Sequence, residues 1–224
     1  MKIIGHRGAK GLAPENTAAS FEAAIANGVD AIETDVRVTN DGFPVIVHNA
    51  HAHGRSGEKF HIAHVRHSQA KEHIEELMTL EDAIRCVNRR VPLWLEIKAG
   101  VPTDGVILII KKMLQHGWQP NDFKFLSFDF KILKELHEAL PDIDLVVNEM
   151  WSGVRASYRA RVLGTKQIDI FSRVLWGGFI RSMSKRGYKL YTFPLNDIKK
   201  ARRWQKAGLA GVITDYPDRF EGKK

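Results

Sequence analysis

Short apolar runs recur along the chain, and most are followed by a stretch of helical periodicity. The runs are Ile3–His6, Ala31–Asp35, Leu93–Ile97, Phe125–Phe128, Leu145–Asn148, Ile168–Phe171, Leu190–Phe193 and Gly211–Thr214. Between them, Phe21, Ala24 and Ile25 share one helical face, and Gly28 stands where a helix C-terminus is expected. Val106, Ile109, Ile110 and Met113 share another. Strands alternating with helices predict a parallel sheet. Eight such units in 224 residues predict an α/β fold of the closed (β/α)8 barrel type.

One run breaks the alternation. Pro44–His48 follows the second strand across Thr39-Asn40-Asp41-Gly42, and Asp-Gly is a tight-turn signal. No room exists there for a crossover helix. Pro44–His48 is therefore expected to fold back antiparallel on the second strand, bringing His48 level with about Asp35. Ala50–His73 is polar, His-rich and weakly periodic, a small excursion over one end of the barrel, and a helix is expected to start within Met78–Asp82. No Pro/Gly/Ser linker or repeat divides the chain. Residues 1–224 read as one domain, with 49–75 a small insertion over the barrel mouth.

Composition narrows the class. Apolar residues make up 44% and charged residues 27%, which excludes a disordered chain. The single cysteine, Cys86, excludes an internal disulfide and a Cys-based zinc site, and its AIRCV context reads as a buried thiol. The longest apolar run is Val106–Ile110, far below a membrane span, so no stable membrane insertion is expected. No secretory signal is visible at Met1–His6, and a cytoplasmic location is expected. Lys plus Arg is 34 and Asp plus Glu is 26, a net charge of +8. The basic pairs look scattered over helices without interleaved aromatics. That favours attraction of small anions over nucleic acid.

The candidate chemistry lies at strand ends, which converge on one mouth in a parallel barrel. The first strand ends in His6-Arg7, the second carries Glu33 and Asp35, the third carries Glu96 and Lys98, and the hairpin returns His48. Residues two apart on a strand share a face. Three convergent carboxylates repel each other unless one is protonated or an Arg, a Lys or a metal sits between them. An all-oxygen set suits Mg²⁺ or Ca²⁺, whereas pairing with Arg7 and Lys98 alone would make a salt-bridge cluster. Spacing leaves both open. Two histidines beside the cluster favour acid/base chemistry. Arg7 and Lys98 are suited to hold a phosphate oxygen.

His6-Arg7-Gly8, Pro14-Glu15-Asn16-Thr17, Gly28–Val36, Thr39–Gly42, Val45–His48 and Leu95-Glu96-Ile97-Lys98 resemble the glycerophosphodiester phosphodiesterase family. Ser127-Phe128 and Ile213–Pro217 resemble its later strand ends, so the likeness runs the length of the chain. It implies His6 and His48 as the acid/base pair, and Glu33, Asp35 and Glu96 as ligands of one divalent cation. Arg7 and Lys98 would bind the phosphate, with Glu15 and Asn16 in support. Asn16 or Thr17 would also cap the next helix. The implied reaction is hydrolysis of a small glycerophosphodiester to glycerol 3-phosphate and an alcohol, with water or a glycerol hydroxyl as nucleophile. Lysophospholipid cleavage of the phospholipase D type and a non-catalytic phosphodiester-binding barrel are the rivals. Three features depart from the family: Asn49 replaces its usual Asp, Tyr191–Asn196 is lengthened by two residues, and the excursion holding His51, His53, His61, His64, His67 and His73 matches poorly.

Overall fold

The computed structural model describes residues 1–53, 57 and 59–220. In chain order its elements are β1 (Lys2–His6), α1 (Ala18–Ala26), β2 (Ala31–Val38), β3 (Pro44–Ile46), β4 (His51–His53), β5 (Lys59–His61), α2 (His67–His73), α3 (Leu80–Val87), β6 (Leu93–Ile97) and α4 (Asp104–Gln115). Then follow β7 (Phe123–Ser127), α5 (Phe130–Ala139), β8 (Asp144–Glu149), α6 (Gly153–Val162), β9 (Gln167–Phe171), α7 (Gly177–Lys185), β10 (Lys189–Phe193), α8 (Ile198–Lys206) and β11 (Gly211–Thr214).

Eight parallel strands close into a barrel in the order β1, β2, β6, β7, β8, β9, β10, β11 and back to β1. Closure is made by β1 on β11, with Ile4 opposite Ile213. The fold is the expected (β/α)8 barrel. β1 runs out where His6 meets Glu33, and β2 continues beyond it. The exposed stretch of β2 is covered by antiparallel β3, with Val36 opposite Ile46 and Val38 opposite Pro44. Pro44 lacks an N–H and sits at the end of this short edge strand. Gly42 takes φ +85°, the left-handed turn conformation that Asp41-Gly42 predicts.

Two apolar layers hold the barrel. The larger lies between strands and helices, where Phe21, Leu80, Ile84, Ile110 and Leu136 are buried. The smaller fills the barrel interior with Ile4, Ala31, Trp94, Leu126, Val146, Tyr191 and Ile213. Trp94 and Tyr191 meet edge to face at 4.7 Å, a favoured aromatic geometry. Strand parity makes these residues a floor. The next inward position on each strand, two residues on, forms the mouth.

The structure changes three details. Val47, not His48, is level with Asp35, because its N–H donates to the Asp35 carbonyl (3.1 Å). The excursion is more regular than its pattern suggests, holding the β4–β5 hairpin and α2 on a small cluster of Val45, Ile62, Ala70 and Leu77. Cys86 is only partly buried, since the AIRCV face of α3 turns Ala83, Ile84 and Val87 inward instead.

Candidate active site

The loop after β1 starts the site with two strained residues. Arg7 (φ +51°) and Asn16 (φ +60°) both adopt the left-handed region, uncommon for residues other than glycine. The turn at Arg7 aims its backbone N–H at Glu33 Oε2 (3.1 Å). Its carbonyl is held by Ser20 Oγ (2.9 Å) and the Asn16 N–H (3.0 Å). Strain of this kind persists only where surrounding contacts over-determine it. Thr17, rather than Asn16, caps α1 by accepting from the Ser20 N–H. Asn16 faces β2: its Nδ2 donates to Asp35 Oδ2 (2.9 Å), and its Oδ1 accepts from Thr34 Oγ1 (2.8 Å) and the Asp35 N–H (3.4 Å).

Glu33, Asp35 and Glu96 converge, with one carboxylate oxygen of each within 4.8 Å of the others, and all three are buried. Burial, with Asp35 and Glu96 nearby, pushes Glu33 well above the ordinary carboxylate range. Burial also raises Glu96. Burial opposes the Asp35 charge too, but Lys98 and Arg7 hold Asp35 below its usual value. Lys98 Nζ lies 2.5 Å from Asp35 Oδ1 and donates to Glu96 Oε1 as well. Arg7 Nε is 3.2 Å from Asp35 Oδ2, and its Nη1 donates to both Glu15 oxygens (3.0 and 2.8 Å). Asn148 Nδ2 donates to Glu96 Oε2 (3.2 Å), while the buried Asn148 Oδ1 has no protein partner. Three buried carboxylates against two cations suit a hard divalent ion bound through oxygen. The residues fit such an ion.

The histidines differ. His6 Nδ1 lies 2.6 Å from Asp215 Oδ1, so the carboxylate accepts its proton and Nε2 presents a lone pair. Nε2 points towards Glu33, 4.0 Å away. Burial lowers the His6 pKa despite the pull of Asp215. Asp215 itself is held down at about 2: burial opposes its charge, but the His6 hydrogen bond prevails. His48 lies past the end of β3, half-buried, with Nδ1 2.9 Å from Asn49 Oδ1. Burial lowers its pKa, and it feels the charges of Asp35, Lys98 and Arg7. The Arg37 Nε–H donates to the His48 carbonyl (2.9 Å) and fixes the backbone there.

The sequence profile of the Glycerophosphoryl diester phosphodiesterase family matches residues 6–219. The chain belongs to this family. Its members are phosphoric diester hydrolases. The chain is 25% identical to a glycerophosphodiester phosphodiesterase of Bacillus altitudinis, over 97% of this chain and 96% of that one. It is 23% identical to a human lysophospholipase D, over 98% and 84%. Among solved structures, a phosphodiesterase of Oleispira antarctica in complex with the product sn-glycerol-3-phosphate superposes with a TM-score of 0.85. That protein is 26% identical, over 99% of this chain and 95% of that one. Membership supports hydrolysis of glycerophosphodiesters.

Four polar residues of the site carry no role in the motif reading: Asn148, Asp169, Asn196 and Asp215, the last lying within the Ile213–Pro217 stretch that resembles the family. Asp215 stands two residues after the inward Ile213, and Asp169 two before the half-buried Phe171, so strand parity is the signal that finds them. Asn196 comes with the lengthened stretch after β10. Its Nδ2 donates to Asp215 Oδ2 (2.8 Å), and its Oδ1 accepts from Thr214 Oγ1 (2.9 Å) and the Asp215 N–H (2.9 Å). Asp169 is buried with Oδ1 unpartnered, and burial, aided by Glu96, drives its pKa well up. The far wall is aromatic: Phe193 lies 5.7 Å from Phe128 and 5.8 Å from Phe171, ring centre to ring centre. Within the excursion, His61 packs against His51 (4.8 Å) and His64 (4.6 Å). Among the described residues, Glu33, Asp35 and Glu96 form the one cluster suited to an ion, and no helix is long and apolar enough to cross a membrane.

Proposed function

We propose that this chain is a cytoplasmic, divalent-cation-dependent glycerophosphodiester phosphodiesterase that releases glycerol 3-phosphate and an alcohol. The reading rests on the buried Glu33–Asp35–Glu96 cluster with His6, Arg7 and Lys98 around it. The three carboxylates would hold Mg²⁺ or Ca²⁺, which supplies Lewis-acid stabilisation of charge on a phosphate oxygen.

The protein's own groups carry the rest. Arg7 and Lys98 draw the phosphate into the mouth and offset charge that grows on its oxygens. Asp215 fixes His6 as the Nδ1–H tautomer, so Nε2 meets the substrate. Asn49 accepts from His48 Nδ1 in the same way through an uncharged amide, so Nε2 is bare in whichever imidazole is the base and protonated in whichever is the acid. One imidazole takes a proton from the attacking hydroxyl, and the other gives a proton to the leaving alcohol oxygen. Glu15 holds Arg7 and Asn16 holds Asp35, so both are positioning residues.

Release of glycerol 3-phosphate from a panel of glycerophosphodiesters, with and without chelator, tests the reading. Turnover that stops with chelator and returns with Mg²⁺ or Ca²⁺ is expected. Full turnover after chelation would defeat the cation role, and no release from any diester would defeat the activity. The Phe128–Phe171–Phe193 wall favours a second reading, in which an apolar group on the alcohol side is accepted. Comparing lysophosphatidylcholine with glycerophosphocholine as substrate separates the two.

A further inference from the structure

The charge of the chain is not scattered once it is mapped onto the fold. From Met150 to Lys206, the segment holding α6, α7 and α8, there are 14 Lys and Arg against two Asp and Glu, a local +12. The remaining residues carry 20 against 24, a net −4. One of the two acids in the basic segment, Asp169, is buried inside the barrel. This sector therefore presents an almost uniformly cationic surface.

The same sector exposes its large apolar side chains. α6 turns only Ala156 and Ala160 fully inward. Val154, Tyr158 and Val162, four residues apart, lie along its outer face with exposures of 79, 58 and 54%. Trp151 (74%) and Trp176 (64%) stand just before α6 and α7, on the loops that follow β8 and β9. In a parallel barrel those loops are at the mouth. The two helices touch, since Gly153 leaves room for the Phe179 ring and Ser157 Oγ lies 3.7 Å from Met183 Sδ. Trp151 is not on a slack tether. Glu149 Oε1 accepts the N–H groups of Met150, Trp151 and Ser152, and Arg155 clasps the same carboxylate. Arg161 lies over the Tyr158 ring at 5.7 Å. Exposed apolar groups gathered on one surface mark an interaction site.

We propose that this face, Trp151, Val154, Tyr158, Val162 and Trp176 within their cationic surround, docks on an anionic lipid bilayer. Indole and phenol rings suit the headgroup zone, being apolar with one polar atom. The surrounding Lys and Arg side chains complement a negatively charged leaflet. The apolar stripe selects a membrane over a nucleic acid, which would meet its phosphates through the cations and leave the valines idle. Docked this way, the barrel mouth lies beside the membrane surface and opens onto lipid-derived diesters. The proposal does not rest on the hydrolase reading, because binding is measured without turnover.

The test is co-sedimentation of the full chain with vesicles of phosphatidylcholine and phosphatidylglycerol (1:1) or of phosphatidylcholine alone, at low salt. The chain is expected to partition at least ~10-fold more strongly onto the anionic vesicles. The variant Trp151→Ser/Val154→Ser/Tyr158→Ser/Trp176→Ser is expected to lose ~10-fold or more of that binding. These side chains are exposed, so its melting temperature and its turnover of a water-soluble diester should match the parent; Trp176→Ser alone, with a smaller loss, serves if the quadruple variant melts early. No anionic-vesicle binding by the parent, or equal binding by parent and folded variants, would overturn the proposal. So would preference for a random oligonucleotide over vesicles in competition, or a patch that the variants show to serve only self-association.

Discussion

Asn16 and Asn196 make the same three hydrogen bonds on either side of β1. Each accepts a Thr hydroxyl and the following Asp N–H at its side-chain oxygen, and each donates to that Asp carboxylate. Asn16 holds Asp35 of the acidic cluster, and Asn196 holds Asp215, the partner of His6. The clamps sit in the loops after β1 and β10, and each grips the neighbouring strand end.

Asp215→Asn removes the charge behind His6 and leaves its shape. We expect kcat on a soluble glycerophosphodiester to fall by about 10²-fold with KM within about threefold. Asn196→Ala should act in the same direction by a smaller factor, with the pH–rate profile displaced. An unchanged profile in Asp215→Asn would show that His6 works without its partner.

His6→Ala and His48→Ala should each lower kcat by about 10²–10⁴-fold. Burial lowers both imidazole pKa values from their ordinary 6.5. As pH falls through its folded-state value the base loses its lone pair, and as pH rises the acid loses its proton. The acid limb of kcat/KM should therefore lie below the ordinary imidazole range. Steady-state rates from about pH 4 to 8 locate it.

Added Mg²⁺ or Ca²⁺ should raise the melting temperature as well as turnover, because an ion among three crowded carboxylates stabilises the native state alone. Glu33→Gln should weaken that response and, without added ion, cost little stability, since burial already makes ionised Glu33 unfavourable. Differential scanning fluorimetry across an ion titration reads both effects.

Glu149 supplies an acid-labile contribution. Burial opposes its charge, but Arg155 and the Trp151 and Ser152 N–H groups bring its pKa down to about 2. A depressed carboxylate adds stability that is complete above its unfolded value and lost as pH falls towards the folded one. Glu149→Gln should cost about 1–3 kcal/mol near neutrality, towards the lower end because Arg155 is half-exposed and screened. The difference should close by about pH 2, as measured by denaturant titration at each pH.

Eight strands and the β2–β3 hairpin were legible because alternation, β-branched runs and Asp41-Gly42 all act locally. The convergence of Glu33, Asp35 and Glu96 followed from parity and the geometry of a parallel barrel. Asp169 and Asn148 stayed hidden, since a lone polar residue at a strand end looks like any loop residue until the inward register is known, and Asp215, though inside the matching Ile213–Pro217 stretch, showed no role until the closed barrel set it against His6. Asn196 could not be found by spacing, because its partner belongs to another strand. The level of His48 was off by one, because the hairpin turns through three residues, Asn40–Gly42, with the Thr39 N–H on the Phe43 carbonyl, rather than about Asp41-Gly42 alone. The basic surface went unseen because most of its cations lie on three separate helices that only the barrel sets side by side.

His6 and Asp215 are separated by 209 positions and meet only where the first strand joins the last. Their contact is a seal on the ring. A nascent chain that has emerged through β10 already holds Glu33, Asp35 and Glu96, yet still lacks the carboxylate that orients its first imidazole. Full turnover should then arrive only once β11 has joined β1 and closed the ring.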